Sequence, residues 1–404
     1  MRKFEIKDDF YLDGEKVKII SGGMNYFRIV PEYWRDRLEK LKALGCNTVE
    51  TYIPWNLHEK QKGHFEFNGM LDVARYVKMA QDLGLMVILR PSPYICGEWE
   101  FGGLPYWLLK EDGMKLRCMY EPYLEHIRDY YKVLFEVISP LQITRGGPVI
   151  FMQVENEYGY YGDDSVYLEY LKELMIENGC EVPLVTSDGP WDEAFEHGRI
   201  DGVLQTGNFG SKGKTQFEVM KKKIGNAPLM CMEFWVGWFD YWGGEHHTGD
   251  LKEHLKDLED ILQEGHVNLY MFEGGTNFGF MNGANYYDRL EPDVTSYDYD
   301  ALLTEDGQIT PKYREFQKII GKYAALPEIS IASKTNRAEY GTVGLTRSGD
   351  LFSNLDKLSA PVEKNYPVCM EKVDQGYGYI LYESKIPELN CLRKLRLWKA
   401  NDRA

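Results

Sequence analysis

Residues 148–159 read PVIFMQVENEYG. The run begins as an apolar strand and ends with Glu155 and Glu157 on either side of Asn156. Buried strands of this kind avoid carboxylates, so the polar end calls for a fold that gives it a use. Seven further runs share the design. They are VKIISGGMNYF from Val17, CNTVETYIPW from Cys46, LMVILRPSPYI from Leu85, PLVTSDG from Pro183, GVLQTGNFG from Gly202, PLMCMEFW from Pro228 and VNLYMFEGGTNFG from Val267. Between them lie amphipathic helical patterns. In PEYWRDRLEKLKALG, residues 31–45, Pro31 suits a first helical turn and Gly45 a position just past the end. In DLKEHLKDLEDILQEG, residues 250–265, Asp250 suits an N-cap.

Near-continuous apolar strands alternating with helices predict a parallel sheet covered on its outer face. Eight such units in about 300 residues fit a (β/α)8 barrel better than an open doubly wound sheet. No GxGxxG follows the first strand, which weakens a dinucleotide fold further. Barrel enzymes keep their chemistry at the C-terminal ends of the strands. Polar and aromatic residues collect at those ends here: NYF at 25–27, TYIPWNLHE at 51–59, RPSPYICGEWE at 90–100, ENEYG at 155–159, SDGPW at 187–191, EFW at 233–235 and FEGGTNFG at 272–279. Apolar beginnings fill the barrel and polar ends build a pocket.

Composition narrows the partners. The net charge of −16 argues against nucleic acid, which needs a basic surface. Aromatic residues make up 14% of the chain, enough to serve a large core and also a site that grips sugar rings. No run reaches the roughly 18 apolar residues of a membrane span, and the opening MRKFEIKDDFYLDG shows no apolar signal region. Seven cysteines without a CxxC pair read as free thiols, so a cytoplasmic location is expected.

Two carboxylates flanking a bond are what glycoside hydrolysis needs. The strand-end acids on offer are Glu59, Glu98, Glu100, Glu155, Glu157, Asp188, Glu233 and Glu273, and spacing alone does not choose among them. Taken singly, each serves a structural ion pair about as readily as catalysis. Their concentration among Trp and Tyr favours a sugar hydrolase.

The blocks RPSPYICGEWE at 90–100, GGLPYWLL at 102–109, GGPVIFMQVENEYG at 146–159, YMFEGGTNFGFMNGAN at 270–285 and TSYDYDALLTEDG at 295–307 resemble the family 35 glycoside hydrolases of bacterial type. These are retaining β-galactosidases on (β/α)8 barrels, and the resemblance runs from about Phe10 to about Tyr323. It implies Glu157 as general acid/base and Glu233 as nucleophile, with Asn156 on the sugar 2-hydroxyl. It also implies that Tyr52, Glu98, Tyr270 and Tyr297 line the galactose pocket and that Trp238 closes a wall. Glu98, with the Gly97 backbone beside it, is expected to read the axial 4-hydroxyl of galactose. The implied substrates are β-galactoside oligosaccharides or glycoconjugate glycans cut from the non-reducing end, with no cofactor and no metal. An assembly of several copies stays open.

Strict alternation sets Gln153, Glu155 and Glu157 on one strand face and Val154 and Asn156 on the other. Asn156 and Glu157 therefore meet one pocket only if the strand ends or bulges near Asn156. Glu155 is then expected in the upper barrel as a paired, structural group, with Arg90 as partner.

Two other functions stay open: the same barrel acting on another β-glycoside, such as an exo-β-glucosaminidase, and a catalytically silent sugar-binding protein. His246 and His247 are adjacent, without the spacing of a metal site, and read as a solvated loop. Asp298 and Asp300 lack an EF-hand ladder and read as a turn. NYYDRLEPD from Asn285 reads as an ordinary long loop whose position after strand eight sets it over the pocket. The barrel is assigned to residues 1–325. Residues 326–404, with EYGTVGLTRSGDLF, KNYPVCMEKV and YGYILYESKI, read as the beginning of a β-sandwich-like domain. The closing CLRKLRLWKANDRA reads as a strand without a following partner, so the β-domain is expected to be shortened.

Overall fold

The computed structural model of the chain describes all residues except 1, 92, 192, 333, 334, 336, 387, 389–393, 395 and 398–404. The eight apolar runs form strands β4 (Ile20–Met24), β5 (Thr48–Tyr52), β6 (Met86–Arg90), β7 (Val149–Gln153), β8 (Leu184–Asp188), β9 (Leu204–Asn208), β10 (Met230–Trp235) and β11 (His266–Glu273). Each pairs in parallel with the next, and β11 returns to β4, closing the (β/α)8 barrel. Nearly every strand residue is buried, as expected for strands packed against side chains inside and helices outside.

The helical layer follows the expected grammar. Pro31–Leu44 begins on its proline and stops at Gly45, whose φ of 106° is a left-handed conformation that a side chain would resist. Leu251–Glu264 is capped by the Asp250 carboxylate, which accepts from the backbone N–H groups of Lys252 and Glu253. The connection between β8 and β9 is reduced, among the described residues, to the single turn Ala194–His197.

The sequence reading did not anticipate a small antiparallel sheet of β1 (Phe4–Ile6), β2 (Phe10–Leu12) and β3 (Glu15–Lys16). It covers the barrel end opposite the site. The rings of Phe4 and Phe10 each lie 5.9 Å from Phe151 on β7, and Phe10 packs on His266 at the start of β11. Only β1 and β2 carry apolar residues, two or three each, and β3 has none, too few to register as a barrel-like run.

The loop after β11 is more ordered than expected. It carries an antiparallel hairpin, β12 (Ala284–Tyr286) and β13 (Leu290–Pro292). Its base is fastened to the β6 loop: the Gly283 N–H donates to the Glu98 carbonyl at 2.9 Å, and the Glu100 N–H donates to the Met281 carbonyl at 3.0 Å.

Beyond the last barrel helix, Pro311–Ile320, the β-rich reading of residues 326–404 finds no strand among the described residues. Single helical turns occur at Phe352–Asn354, Leu355–Leu358 and Met370–Val373. A strand needs a neighbour for its N–H and C=O groups, and apolar side chains such as Tyr340, Leu345 and Tyr366 are exposed here. The strand expected at 391–404, and Cys391 with it, lies outside the described residues apart from 394, 396 and 397. The segment touches the barrel through Lys110–Asp374 at 2.5 Å and Lys372–Asp112 at 2.6 Å. Among the described residues no helix is long and apolar enough to cross a membrane, and the described cysteines are free thiols.

Candidate active site

The strand ends sort the eight candidate acids. Glu59 accepts from the Trp55 indole and the Gly63 N–H. Asp188 accepts from the Gly159 N–H, and Glu273 pairs with Arg37 at 3.0 Å. Glu155 is clasped by Arg117 through two bonds of 2.9 and 2.7 Å. Glu100 opens the helical turn Glu100–Gly103. These groups have structural duties. Glu98, Glu157 and Glu233 stand apart because their neighbours are the polar and aromatic groups of the pocket.

Glu233 is buried on β10 and gathers donors from three sides. The Tyr52 hydroxyl donates to Oε1 at 2.7 Å, the Arg90 guanidinium to the same oxygen at 2.6 Å, and the Trp235 indole to Oε2 at 3.1 Å. Arg90 also donates to Asn156 Oδ1 at 2.6 Å and to Gln153 Oε1 at 2.8 Å. Asn156 Oδ1 accepts from Gln153 as well and lies 3.1 Å from the Tyr52 hydroxyl oxygen, which turns its amide nitrogen to the remaining side.

Glu157 sits in a different environment. It follows the end of β7 in a left-handed conformation, φ 46° and ψ 38°, and its N–H donates to the Ser187 carbonyl at 3.1 Å. Among the described residues its carboxyl accepts one bond, from Asn208 Nδ2 at 2.9 Å. Burial pushes its pKa above the usual carboxylate range, and the charge of Glu233 adds to the effect.

A second cluster forms around Glu98. The Tyr297 hydroxyl donates a short hydrogen bond to Glu98 Oε2, and the Tyr270 and Tyr297 hydroxyls lie 3.3 Å apart. Burial pushes the Glu98 carboxyl up to about 7. Arg28 anchors this wall from behind, donating to the Gly97 carbonyl at 2.5 Å and lying 3.8 Å from the Tyr297 ring. Cys96, Gly97 and Glu98 all have positive φ, so three consecutive residues take a conformation that side chains disfavour. Trp238 is partly exposed, edge-on to Trp235 at 5.5 Å and stacked on Phe239.

The structure thus gathers Tyr52, Asn156 and Arg90 around Glu233, and Gly97, Tyr270 and Tyr297 around Glu98. The strand does end near Asn156, at Gln153. The expected Glu155–Arg90 pair is overturned. Glu155 has φ 56° and turns outward, where Arg117 and the Tyr167 hydroxyl of the outer helix Ser165–Glu177 meet it. Arg90 is left to Glu233. Sequence reasoning missed Arg117, Asn208, Trp235 and Arg28. Asn208 and Trp235 carried a signal, each being a polar-tipped residue at a strand end. His246 and His247 both pair with Asp240, at 2.6 and 2.9 Å. Asp300 accepts from Lys312 and the Gly249 N–H, consistent with a structural turn.

The family model described as "Glycosyl hydrolases family 35" matches residues 9–323. The chain belongs to glycosyl hydrolase family 35. It is 43% identical over 393 residues to human beta-galactosidase-1-like protein 2, covering 95% of this chain and 62% of that protein. It is 41% identical over 386 residues to the beta-galactosidase of Canis lupus familiaris, covering 94% of this chain and 58% of that one. The chain therefore spans about three fifths of the length of these relatives. Both are mammalian proteins and do not bear on a bacterial type. Among solved structures, a beta-D-glucuronidase from Dictyoglomus thermophilum matches with a TM-score of 0.54 at 12% identity. It covers 81% of this chain and 55% of that one, a likeness of fold alone. Membership of family 35 is thus carried by the sequence matches, and the barrel by the geometry.

Proposed function

We propose that this family 35 member removes terminal β-D-galactosyl residues by a two-step, configuration-retaining displacement. The observation that carries the reading is the opposed environments of the two glutamates. Glu233 meets a guanidinium and two further donors, which suits a carboxylate nucleophile. Glu157 meets one amide N–H and is pushed up by burial and by the neighbouring charge, which suits an acid that must still hold its proton. Two carboxyls in such opposed surroundings suit an acid/base and nucleophile pair.

In the first step a Glu233 oxygen attacks the anomeric carbon and the bond to the leaving oxygen breaks. Glu157 delivers its proton to that oxygen. Glu157, now ionised, takes a proton from water in the second step, and the hydroxide oxygen displaces Glu233. Asn156, its oxygen fixed by Arg90 and Gln153, offers its amide nitrogen to the sugar 2-hydroxyl. Glu98, with Tyr270, Tyr297 and the Gly97 backbone, recognises the galactose hydroxyls, and the fastened hairpin β12–β13 supports exo action by walling that side. Retention requires carboxyls about 5–5.5 Å apart.

Aryl β-glycosides of galactose, glucose and glucosamine, compared side by side, test the substrate. NMR of the first-formed sugar tests the mechanism. Turnover of the galactoside with a β-configured first product is expected. Preference for glucosamine would make the chain an exo-β-glucosaminidase, binding without turnover would make it a silent sugar-binding protein, and an α-configured product would exclude retention.

A further inference from the structure

Beneath Glu233 the barrel interior holds a third carboxylate that the reaction above does not use. Glu50, on β5, is fully buried. Its Oε2 accepts from Asn268 Nδ2 at 3.2 Å. Its Oε1 faces Arg90 Nη1 at 3.7 Å, too far for a hydrogen bond, and neither atom has another partner among the described residues. Arg90 is likewise fully buried, with the Tyr52 ring 4.0 Å from its guanidinium carbon. One buried cation therefore lies between two carboxylates: Glu233, held at 2.6 Å, and Glu50, held loosely.

We infer that Glu50 is a positioning residue acting through Arg90, the counter-ion that keeps Arg90 paired while Glu233 is tied up as a sugar ester. The inference rests on Glu233 as the nucleophile. When Glu233 attacks the anomeric carbon, its charge is lost to the new C–O bond. The leaving oxygen takes the Glu157 proton, and the negative charge reappears on Glu157, whose carboxyl is held by Asn208. Arg90 then touches an ester where it had touched a carboxylate. A buried guanidinium left without its partner is strongly unfavourable. The open Nη1 edge already faces the open oxygen of Glu50, and closing that gap to a charge-assisted bond of about 2.8 Å takes a shift of about 1 Å.

The electrostatics agree with this geometry. Burial pushes the Glu50 carboxyl up to about 7, Arg90 pulls it down and the charge of Glu233 pushes it up. Esterification removes that last effect, so Glu50 ionises more readily when Arg90 needs it, and any proton it still holds goes to solvent.

The test uses a 2-deoxy-2-fluoro-β-galactosyl fluoride, which forms the glycosyl-enzyme and turns it over slowly. Rates of inactivation and of spontaneous reactivation are compared for the unsubstituted chain and Glu50→Gln. The amide keeps the shape and a bond to Asn268 but removes the charge. Inactivation should slow on the order of tenfold, while reactivation stays equal or quickens, because the covalent state has lost its counter-ion. Damage to the scaffold would slow both steps together. Parallel loss of both rates, or no change in either, overturns the inference. Glu50→Asp, which keeps the charge, should fall between the two proteins. Should Glu50→Gln fail to fold, the same divergence of rates, or its absence, is read from Glu50→Asp. Peptide mapping of the label in the unsubstituted chain separates the two layers: a label away from Glu233 removes the nucleophile assignment, whereas a label on Glu233 with undivided rates removes only the role of Glu50.

Discussion

Replacing Arg117 by Met tests whether the end of β7 depends on an ion pair outside the pocket. Arg117 is buried and donates twice to Glu155, at 2.9 and 2.7 Å, and once to the Asn156 carbonyl at 2.8 Å. Its guanidinium also packs 3.8 Å from the Tyr94 ring centre and 4.3 Å from that of Tyr161. Methionine keeps part of the volume and removes every donor. Glu155 would retain its bonds from the Asn156 N–H at 2.6 Å and the Tyr167 hydroxyl at 3.2 Å. Breaking a buried pair from one side costs about 3–5 kcal/mol; the two surviving donors favour the lower half of that range, and the lost bond to the Asn156 carbonyl adds about 1 kcal/mol. Unfolding by urea should therefore show Arg117→Met weakened by about 4 kcal/mol. Glu155→Gln should also destabilise, by stranding the arginine. The double variant, with no stranded charge, should be more stable than Arg117→Met alone, giving a coupling energy of about 2 kcal/mol or more. Under conditions where both variants are folded, kcat/KM for an aryl β-galactoside should fall on the order of tenfold or more in Arg117→Met, since small misplacements of catalytic groups are costly. Additive single effects, or a loss below about 1 kcal/mol in Arg117→Met, would refute the view that this pair holds the turn bearing Asn156 and Glu157.

Other consequences follow from the same geometry. Glu98→Gln should lower kcat/KM for galactosides by about 2–4 kcal/mol through a lost charge-assisted bond, and kinetics matching the unsubstituted chain would remove Glu98 from the site. Glu157→Gln should lose far less activity on dinitrophenyl galactosides than on lactose-like substrates, and azide should restore turnover as a β-galactosyl azide; uniform loss on both substrates contradicts its role as acid. Burial pushes Glu50, Glu98 and Asp293 to about 7 and Glu273 to about 8, so the folded chain holds protons that the unfolded chain releases near the ordinary carboxylate range. Stability from these groups is fully present below that range and is lost as pH rises through 7 to 8, so the thermal midpoint should fall between about pH 5 and 8.5, and a rising midpoint would reverse the sign of the argument.

The barrel was legible because each strand is buried on both faces and must be apolar along its length. All eight runs, from Ile20–Met24 to His266–Glu273, became strands in chain order. The polar caps of those runs also marked the pocket, since both Glu233 and the turn holding Glu157 lie where a run turns polar. What stayed hidden depends on contacts between residues far apart in the chain. Arg28, Arg90 and Arg117 come from separate units, and nothing in local spacing says which carboxylate each will meet.

The pairing error at Glu155 has a specific physical source. Alternation assigns side chains correctly only while the backbone stays extended, and β7 stops at Gln153. Glu155 and Glu157 both take positive φ, 56° and 46°. Neither residue type is favoured there, at a cost of about 1–2 kcal/mol each, so the turn must be secured by its surroundings. The bonds that secure it are on both sides: Arg117 grips Glu155 and the Asn156 carbonyl from outside, the Glu155 carboxylate takes the Asn156 N–H, and Ser187 on β8 takes the Glu157 N–H. Each left-handed residue reverses the sense in which the next side chain projects. Glu155 is thereby sent to the outer layer, while Asn156 and Glu157, which no regular strand could present together, reach the polar groups of the pocket. Two glutamates two positions apart can thus have opposite duties, one bracing the turn and the other, on the proposed mechanism, carrying the proton, and the first is what allows the second to be where it is.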